Sequence, residues 1–390
     1  MQTALDLRKD FPLLQRPLLY FDAAATTPKP QVVLDAMHDY YTNFGGTVNR
    51  AVYSLAREAT HAYGKARGKV AQFIGASSEE IIFTRNCTAA INLLARSFGR
   101  VFLREGDAIL ISQTEHHSNI VPWQMICEER GARLLIAPVD EEGVLIWDEF
   151  IQLLTQGVKL VSIAHVANVT GVIHPIAEIA EAAHAVGARI AVDGAQAVAH
   201  FSIDVRNIDF YVFSGHKMYG PTGIGVLYGK KELLEKMPPV EGGGDMIETV
   251  TFAKTTYNMI PFKFEAGTPM IAEAIGLKAA VEYLEGIGME QVIAHEKELI
   301  AYAKQKLSIQ RLGRADALIS FLLPPHHPLD VATLLDCRGI CLRSGHHCSQ
   351  PTMQHFGVDQ SLRLSFGLYN TIEEIDALHE ALQEVAEALA

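Results

Sequence analysis

The chain has 390 residues, of which 49% are hydrophobic and 20% charged, a composition that excludes disordered and fibrous classes and suggests about two folded domains. Its 45 acidic against 33 basic side chains leave a formal net charge of -12, which argues against nucleic acid or an anionic membrane as the main partner. Five irregularly spaced cysteines, a polar N-terminus and no apolar run of ~18 residues lead us to expect a cytoplasmic protein with free thiols and no membrane segment.

Leu18 to Asp22 reads as a short strand entering a small-residue turn, Ala23-Ala24-Ala25-Thr26-Thr27-Pro28. Pro30 suits the first turn of a helix with Val33, Met37, Tyr40 and Tyr41 on one face. A second helix, Ser54 to Ile74, places Leu55, Ala59, Ala62, Ala66, Val70 and Phe73 at helical spacing and stops at Gly75. From Glu80 the apolar runs 81–83, 108–111, 133–137, 160–164, 189–192 and 210–213 alternate with helical patterns such as 88–98 and 176–186. That alternation predicts an α/β domain with a mostly parallel sheet, whose ligands collect at the carboxyl ends of the strands. Beyond Gly242-Gly243-Gly244 an extended excursion (246–264) precedes helices at 271–284 and 291–307. Strand-like 318–323, helix 331–336, strand-like 362–366 and a final helix 372–389 predict a smaller α+β domain. The expected division is a large domain, 17–284, and a small domain, 1–16 with 285–390.

Four strand ends carry polar groups. Thr88, in Arg85-Asn86-Cys87-Thr88, opens a helix whose free N–H groups suit an anion, though alone it is equally an N-cap. Glu115-His116-His117-Ser118-Asn119 holds paired histidines whose side chains point opposite ways on extended backbone, which disfavours one shared metal. His117 as a flat ring over a cofactor is the sharper reading, and a satisfied loop histidine the plainer one. Asp193, at the end of a buried strand, needs a cationic partner or serves as a helix cap. Ser214-Gly215-His216-Lys217, with the lysine 24 residues after Asp193, offers an amine and phosphate donors where a surface lysine would otherwise be read. An acid for a ring nitrogen, an amine for an aldehyde and a phosphate cup are together what pyridoxal phosphate requires.

With those residues, 165–171 (His165-Val166-Ala167-Asn168-Val169-Thr170-Gly171), Phe264-Glu265-Ala266-Gly267-Thr268-Pro269 and Arg343-Ser344-Gly345-His346-His347-Cys348, the chain resembles the class V aminotransferase family of pyridoxal-phosphate enzymes. It is most similar to the SufS-type (group II) cysteine desulfurase / selenocysteine lyase branch. The resemblance implies a fold-type I transferase: a large domain with a mostly parallel sheet, a small α+β C-terminal domain, and a homodimer with sites at the interface. Lys217 would anchor the cofactor through its amine, Asp193 pair with the ring nitrogen, His117 stack on the ring and Gln196 reach the ring hydroxyl. Asn168 would lie beside that hydroxyl and the substrate. Thr88, Ser214 and His216 would bind the phosphate, with Thr268 supplied by the partner subunit.

Cys348 narrows the reaction, since two imidazoles and a guanidinium in its loop favour the nucleophilic form of a thiol. Alone it is as well a passive thiol. A zinc site from Cys341, His346, His347 and Cys348 is disfavoured because three consecutive ligands converge poorly on one ion. By resemblance, Lys217 and His117 would move protons and Cys348 would take sulfur from L-cysteine as a persulfide, releasing alanine. Arg363 is expected to hold the substrate carboxylate, with Arg343 in the same pocket. The alternatives are a selenocysteine lyase acting on L-selenocysteine and an aminotransferase or kynureninase-like lyase with no use for Cys348. The short Cys348 loop implies a SufE- or SufU-like sulfur acceptor. Departures from the branch pattern are Asn49 and Tyr53 in Asn49-Arg50-Ala51-Val52-Tyr53, Cys87 where threonine is usual, and Met270. Cys87 is read as a small packing residue whose backbone N–H still donates to the phosphate.

Overall fold

The computed structural model describes residues 4–49 and 51–390, so Met1–Thr3 of the expected small domain and Arg50 of the departing segment lie outside the described residues. Seven strands form the main sheet in the spatial order Ile81–Thr84, Gly225–Gly229, Phe210–Ser214, Arg189–Asp193, Val158–Ala164, Ala108–Ser112, Arg133–Ala137. Only Gly225–Gly229 runs antiparallel to its neighbours. It was not distinguished in the sequence, where its apolar run carries no sign of direction.

Alternation along each strand divides the core in two. Ile81, Phe83, Ile190, Val192, Tyr211 and Phe213 face one layer with helices Ser54–Ile74, Ile176–Ala185 and Ile271–Ile287. Ile82, Ala191, Phe210, Val212 and Leu227 face the other, against Cys87–Phe102 and Val121–Arg130. A sheet covered on both faces explains the near-continuous apolar runs. Helix Ser54–Ile74 has the expected bounds, ending at Gly75 in the left-handed region (φ 76°). Three details differ from expectation. Pro30 is the N-cap of helix Gln31–Asn43, with extended backbone. Tyr41 is 65% exposed, because a helix turns about 100° per residue and, of the two tyrosines, Tyr40 is the one that shares the face of Val33. Leu55 is also exposed, the buried stripe there starting at Ala56.

A second, antiparallel sheet runs Gln310–Leu312, Ile319–Leu322, Ser361–Leu364, Arg343–Gly345. Helices Met289–Lys306, Pro328–Asp336 and Ile372–Leu389 cover it around a third hydrophobic cluster. The chain's early segment laces the two parts together. Leu19–Tyr20 pairs parallel with Ile340–Cys341, and Asp22 bridges Ser365. We propose the division 17–284 against 1–16 with 285–390, and the third cluster supports its C-terminal part: apart from Phe21 its buried members come from residues 299–385. Leu7, Phe11 and Leu14 pack into the large cluster, while Arg8 donates to Glu374 at 2.6 Å, so the N-terminal segment touches both parts. Among the described residues no helix is long and apolar enough to cross a membrane.

Candidate active site

The parallel strands ending at Ser112, Ala164, Asp193 and Ser214 open on one edge of the sheet, where a cavity of about 240 Å³ forms between the two parts. Lys217, Asp193, Gln196, Thr88, Ser214, His216, Asn168, Arg343, Arg363 and Cys348 all line it. His117 and Thr268 do not.

Asp193 is the last residue of its strand. The next residue, Gly194, passes so close to Tyr211 that a Cβ there would lie 2.2 Å from the ring, which leaves room only for glycine. Asp193 Oδ1 accepts from the Ala195 N–H at 2.9 Å and the Cys87 thiol at 3.3 Å. Burial nevertheless raises its pKa, against the pull of those donors and of Lys217. A cation placed against this carboxylate would relieve that cost. Lys217 ends the 3-10 turn Gly215–Lys217 that follows the Phe210–Ser214 strand. Burial lowers the pKa of its amine, and the Arg363 and Arg343 charges push the same way while Asp193 opposes. The turn is pinned through the His216 carbonyl, which accepts from the Thr27 N–H and Lys29 Nζ, both at 3.0 Å. An amine made more nucleophilic and a carboxylate short of a cation are the two groups a pyridoxal ring uses at its ends.

The opposite end suits a phosphate. Helix Cys87–Phe102 starts there, capped by Asn86, whose side chain accepts from the Ala89 N–H at 2.8 Å. The Thr88 and Ser118 hydroxyls lie 2.7 Å apart at this end of the cavity. Burial, then Lys217 and Lys29, lower the pKa of His216 to about 4, leaving a neutral ring. The Cys87 N–H donates to Ser214 Oγ at 2.8 Å, so it is not free to reach a phosphate as the sequence suggested. Gln196 Nε2 donates to the Ala24 carbonyl at 2.8 Å.

The paired histidines need correction. His116, not His117, lines the cavity. The 3-10 turn His117–Asn119 begins one residue later, making His116 its cap, with Nδ1 accepting from the Ser118 N–H at 3.0 Å. Burial and the Lys217 charge lower its pKa to about 3, so the ring is neutral and Nε2 carries the proton. His117 turns the other way: its Nε2 accepts from the Gln350 N–H at 3.0 Å and its backbone N–H donates to the Cys348 carbonyl at 2.7 Å. Opposite-pointing neighbours were expected, but sequence carries no signal for which one faces inward.

Beneath His116 lies a buried polar network absent from the sequence reading. Glu115 accepts from Ser112 at 2.5 Å, the Ala164 N–H at 3.0 Å and Asn119 Nδ2 at 2.7 Å. Asn119 Oδ1 in turn accepts from Trp123 Nε1 at 2.8 Å and Ser162 at 2.6 Å. Burial pushes Glu115 up to about 7.

The Cys348 loop is held from several sides. His347 and Cys348 both have left-handed backbone (φ 52° and 56°), uncommon outside glycine and costing roughly 1–2 kcal/mol each. Asn168 Nδ2 donates to the His347 carbonyl at 2.7 Å and its Oδ1 accepts from Ser349 at 2.8 Å. Cys348 N–H donates to His346 Nδ1 at 3.0 Å, and His347 Nε2 lies 3.0 Å from Ser361. These contacts fix the thiol in the cavity wall. Among the described residues no group of three His, Cys, Asp or Glu side chains is arranged to hold a metal. Arg363, buried on the Ser361–Leu364 strand, donates to the Asn168 carbonyl at 3.1 Å and approaches Asp22 at 3.5 Å, while its Nε has no partner among the described residues. Burial brings its pKa down to about 10. Arg343 lies opposite it in register. Asp22 went unnoticed in the sequence because it sits in an ordinary strand-to-turn junction.

Thr268 lines a second cavity, of about 700 Å³, with Arg85, Phe264 and Met270, which meets the first at Asn86 and Thr88.

The buried rings give the protein a pH signature. His116, His165, His174, His216 and His347 are lowered from 6.5 to about 3, 4, 4, 4 and 2, burial being the largest cause of each. Their unfolded forms bind protons below about pH 6.5 while the native forms do not, so stability falls as pH drops from there. Glu115, raised from 4.5 to about 7, opposes with one proton. Net uptake on unfolding is roughly three to four protons near pH 5.5. The urea midpoint is expected to fall steeply from pH 7 to 5, and a flat profile would contradict the buried neutral rings.

The geometry meets its relatives here. Residues 19–378 match the family described as Aminotransferase class-V. The chain belongs to the class-V aminotransferase family. A probable cysteine desulfurase of Halalkalibacterium halodurans is 48% identical over 398 residues, covering 98% of both chains. One from Mycolicibacterium paratuberculosis is 46% identical over 98% of this chain, which spans only 58% of that relative's length. A solved apo structure of cysteine desulfurase from Thermococcus onnurineus NA1 superposes with a TM-score of 0.96 at 38% identity, covering 100% of this chain and 99% of that one. The family fold therefore extends over both the sheet edge that carries Lys217 and the loop that carries Cys348.

Proposed function

We propose that the chain is a pyridoxal-phosphate-dependent cysteine desulfurase that converts L-cysteine to L-alanine and holds the sulfur as a persulfide on Cys348. The observation that carries this reading is that Lys217 and Cys348, from different parts of the fold, line one cavity. Bound there, the cofactor supplies an electron sink for charge developing at the substrate Cα. Lys217 would anchor it and move the Cα proton. Asp193 would hold the ring nitrogen, and Gln196 and Asn168 would serve the ring hydroxyl. His116, which lines the cavity where His117 does not, would take the ring-contacting role first expected of His117, with its Nε2 proton available to the substrate. His117 instead fixes the Cys348 loop through its two hydrogen bonds. Thr88, Ser214 and His216 would hold the phosphate. Arg363, whose fork is partly unpaired, takes the substrate carboxylate beside Arg343. Cys348 Sγ then forms an S–S bond to the substrate sulfur. The Cβ–S bond breaks, its electron pair leaves with the carbon fragment, and protonation of that carbon yields alanine.

The proposal includes a homodimer in which a partner's Thr268 completes the phosphate end, and its support is that this chain's own Thr268 does not line the cavity that holds Lys217. A SufE- or SufU-like acceptor in the cytoplasm, serving iron-sulfur assembly or related sulfur trafficking, completes the proposal. Incubating the cofactor-loaded protein with L-cysteine and a thiol reductant tests it: alanine and sulfide are expected in equal amounts. Keto acid without sulfide would point to an aminotransferase. Selenocysteine lyase activity would use the same residues, and the ratio of kcat/KM for the two substrates separates it.

A further inference from the structure

Two thiols face the cavity, and only one has a role so far. Cys348 is half-buried in a surface loop, whereas Cys87 is 6% exposed at the first position of helix Cys87–Phe102. Its sulfur lies 3.3 Å from Asp193 Oδ1, and its backbone N–H donates to Ser214 Oγ at 2.8 Å. One residue therefore bonds both the acid at one end of the cavity and a hydroxyl at the other.

We propose that Cys87 is a positioning residue, its thiol donating to Asp193 so that the carboxylate is held ionised and aimed at the ring nitrogen. A carboxylate is acceptor-only, so the proton in this contact belongs to sulfur. Burial and the Asp193 charge both raise the pKa of Cys87, which keeps it a donor and leaves Cys348 as the nucleophile. Asp193 Oδ1 has the Ala195 N–H as its other partner at 2.9 Å. Removing the thiol leaves that buried oxygen with one donor where it had two. A packing role alone would make the volume of residue 87 matter and its donor irrelevant.

The inference rests on the cofactor reading above, and the test separates the two. Wild type, Cys87→Ala and Cys87→Ser are loaded with pyridoxal phosphate labelled with 15N in the ring. The cofactor dissociation constant and the ring-nitrogen chemical shift are then measured. Cys87→Ala is expected to weaken cofactor binding about three- to tenfold, the range for one hydrogen bond to a charged group made by a weak donor. It is also expected to move the nitrogen shift toward neutral pyridine. Cys87→Ser, which restores a donor at similar volume, should recover most of both changes. Equal behaviour of the alanine and serine proteins, or an unmoved shift in both, would overturn the role of Cys87 while leaving the cofactor reading intact. Wild-type protein that binds no pyridoxal phosphate would overturn both. If Cys87→Ala does not fold, Cys87→Thr against Cys87→Val makes the same comparison, since the two differ chiefly in the hydroxyl.

Discussion

Replacing Lys217 by alanine is expected to lower L-cysteine turnover by about a thousandfold or more, the scale on which a positioned proton-transfer group and covalent anchor act together. The physical reason lies in the environment of the amine. Burial and two guanidiniums lower its pKa, and the turn behind it is tied to the Thr26–Lys29 segment through the His216 carbonyl. Among the described residues no other lysine lines the cavity. In the wild-type protein, borohydride treatment and digestion should leave the cofactor on the Lys217 peptide. In Lys217→Ala no peptide should carry it. Retention of turnover, or of cofactor on another peptide, would remove Lys217 from its role.

Cys348→Ala is expected to have an effect of similar size on sulfur release for a different reason. Loss of a covalent nucleophile costs on the order of a thousandfold or more, yet cofactor binding and the spectral response to L-cysteine should persist, since the residues facing the cofactor are untouched. The two variants therefore fail at separable steps. Cys348 also spends conformational energy to be where it is. It and His347 occupy left-handed backbone, held there by Asn168, Ser349 and the His117 N–H. A flexible loop could present a thiol without that strain. A fixed one favours attack on a substrate already seated against Arg363.

Much of the site was readable before the structure. Asp193, Ser214 and Lys217 follow strongly apolar runs, and polar groups at the ends of buried parallel strands have few purposes besides binding. The helices 54–74 and 372–389 were legible to their end residues, because Gly75 supplies a left-handed stop and Thr371 with Glu374 forms a capping box. Other features depended on tertiary contacts. Whether His116 or His117 faces inward is decided by where a three-residue 3-10 turn begins. The antiparallel strand Gly225–Gly229 looks like its parallel neighbours because burial on both faces erases alternation. The bonds that tie Glu115 and Asn119 to Ala164 and Ser162, the Asp22–Arg363 contact and the Cys87–Asp193 bond join residues far apart in sequence, so no local pattern announces them.

The central claim is that Cys348 receives the sulfur. Its most direct test is mass spectrometry of the cofactor-loaded protein after brief exposure to L-cysteine without reductant, with alkylation to trap the product. A gain of one sulfur atom is expected on the peptide containing Cys348, reversed by a thiol reductant and absent from peptides containing Cys87, Cys127, Cys337 or Cys341. An adduct on another cysteine, or alanine formed with no sulfur on Cys348, would contradict it.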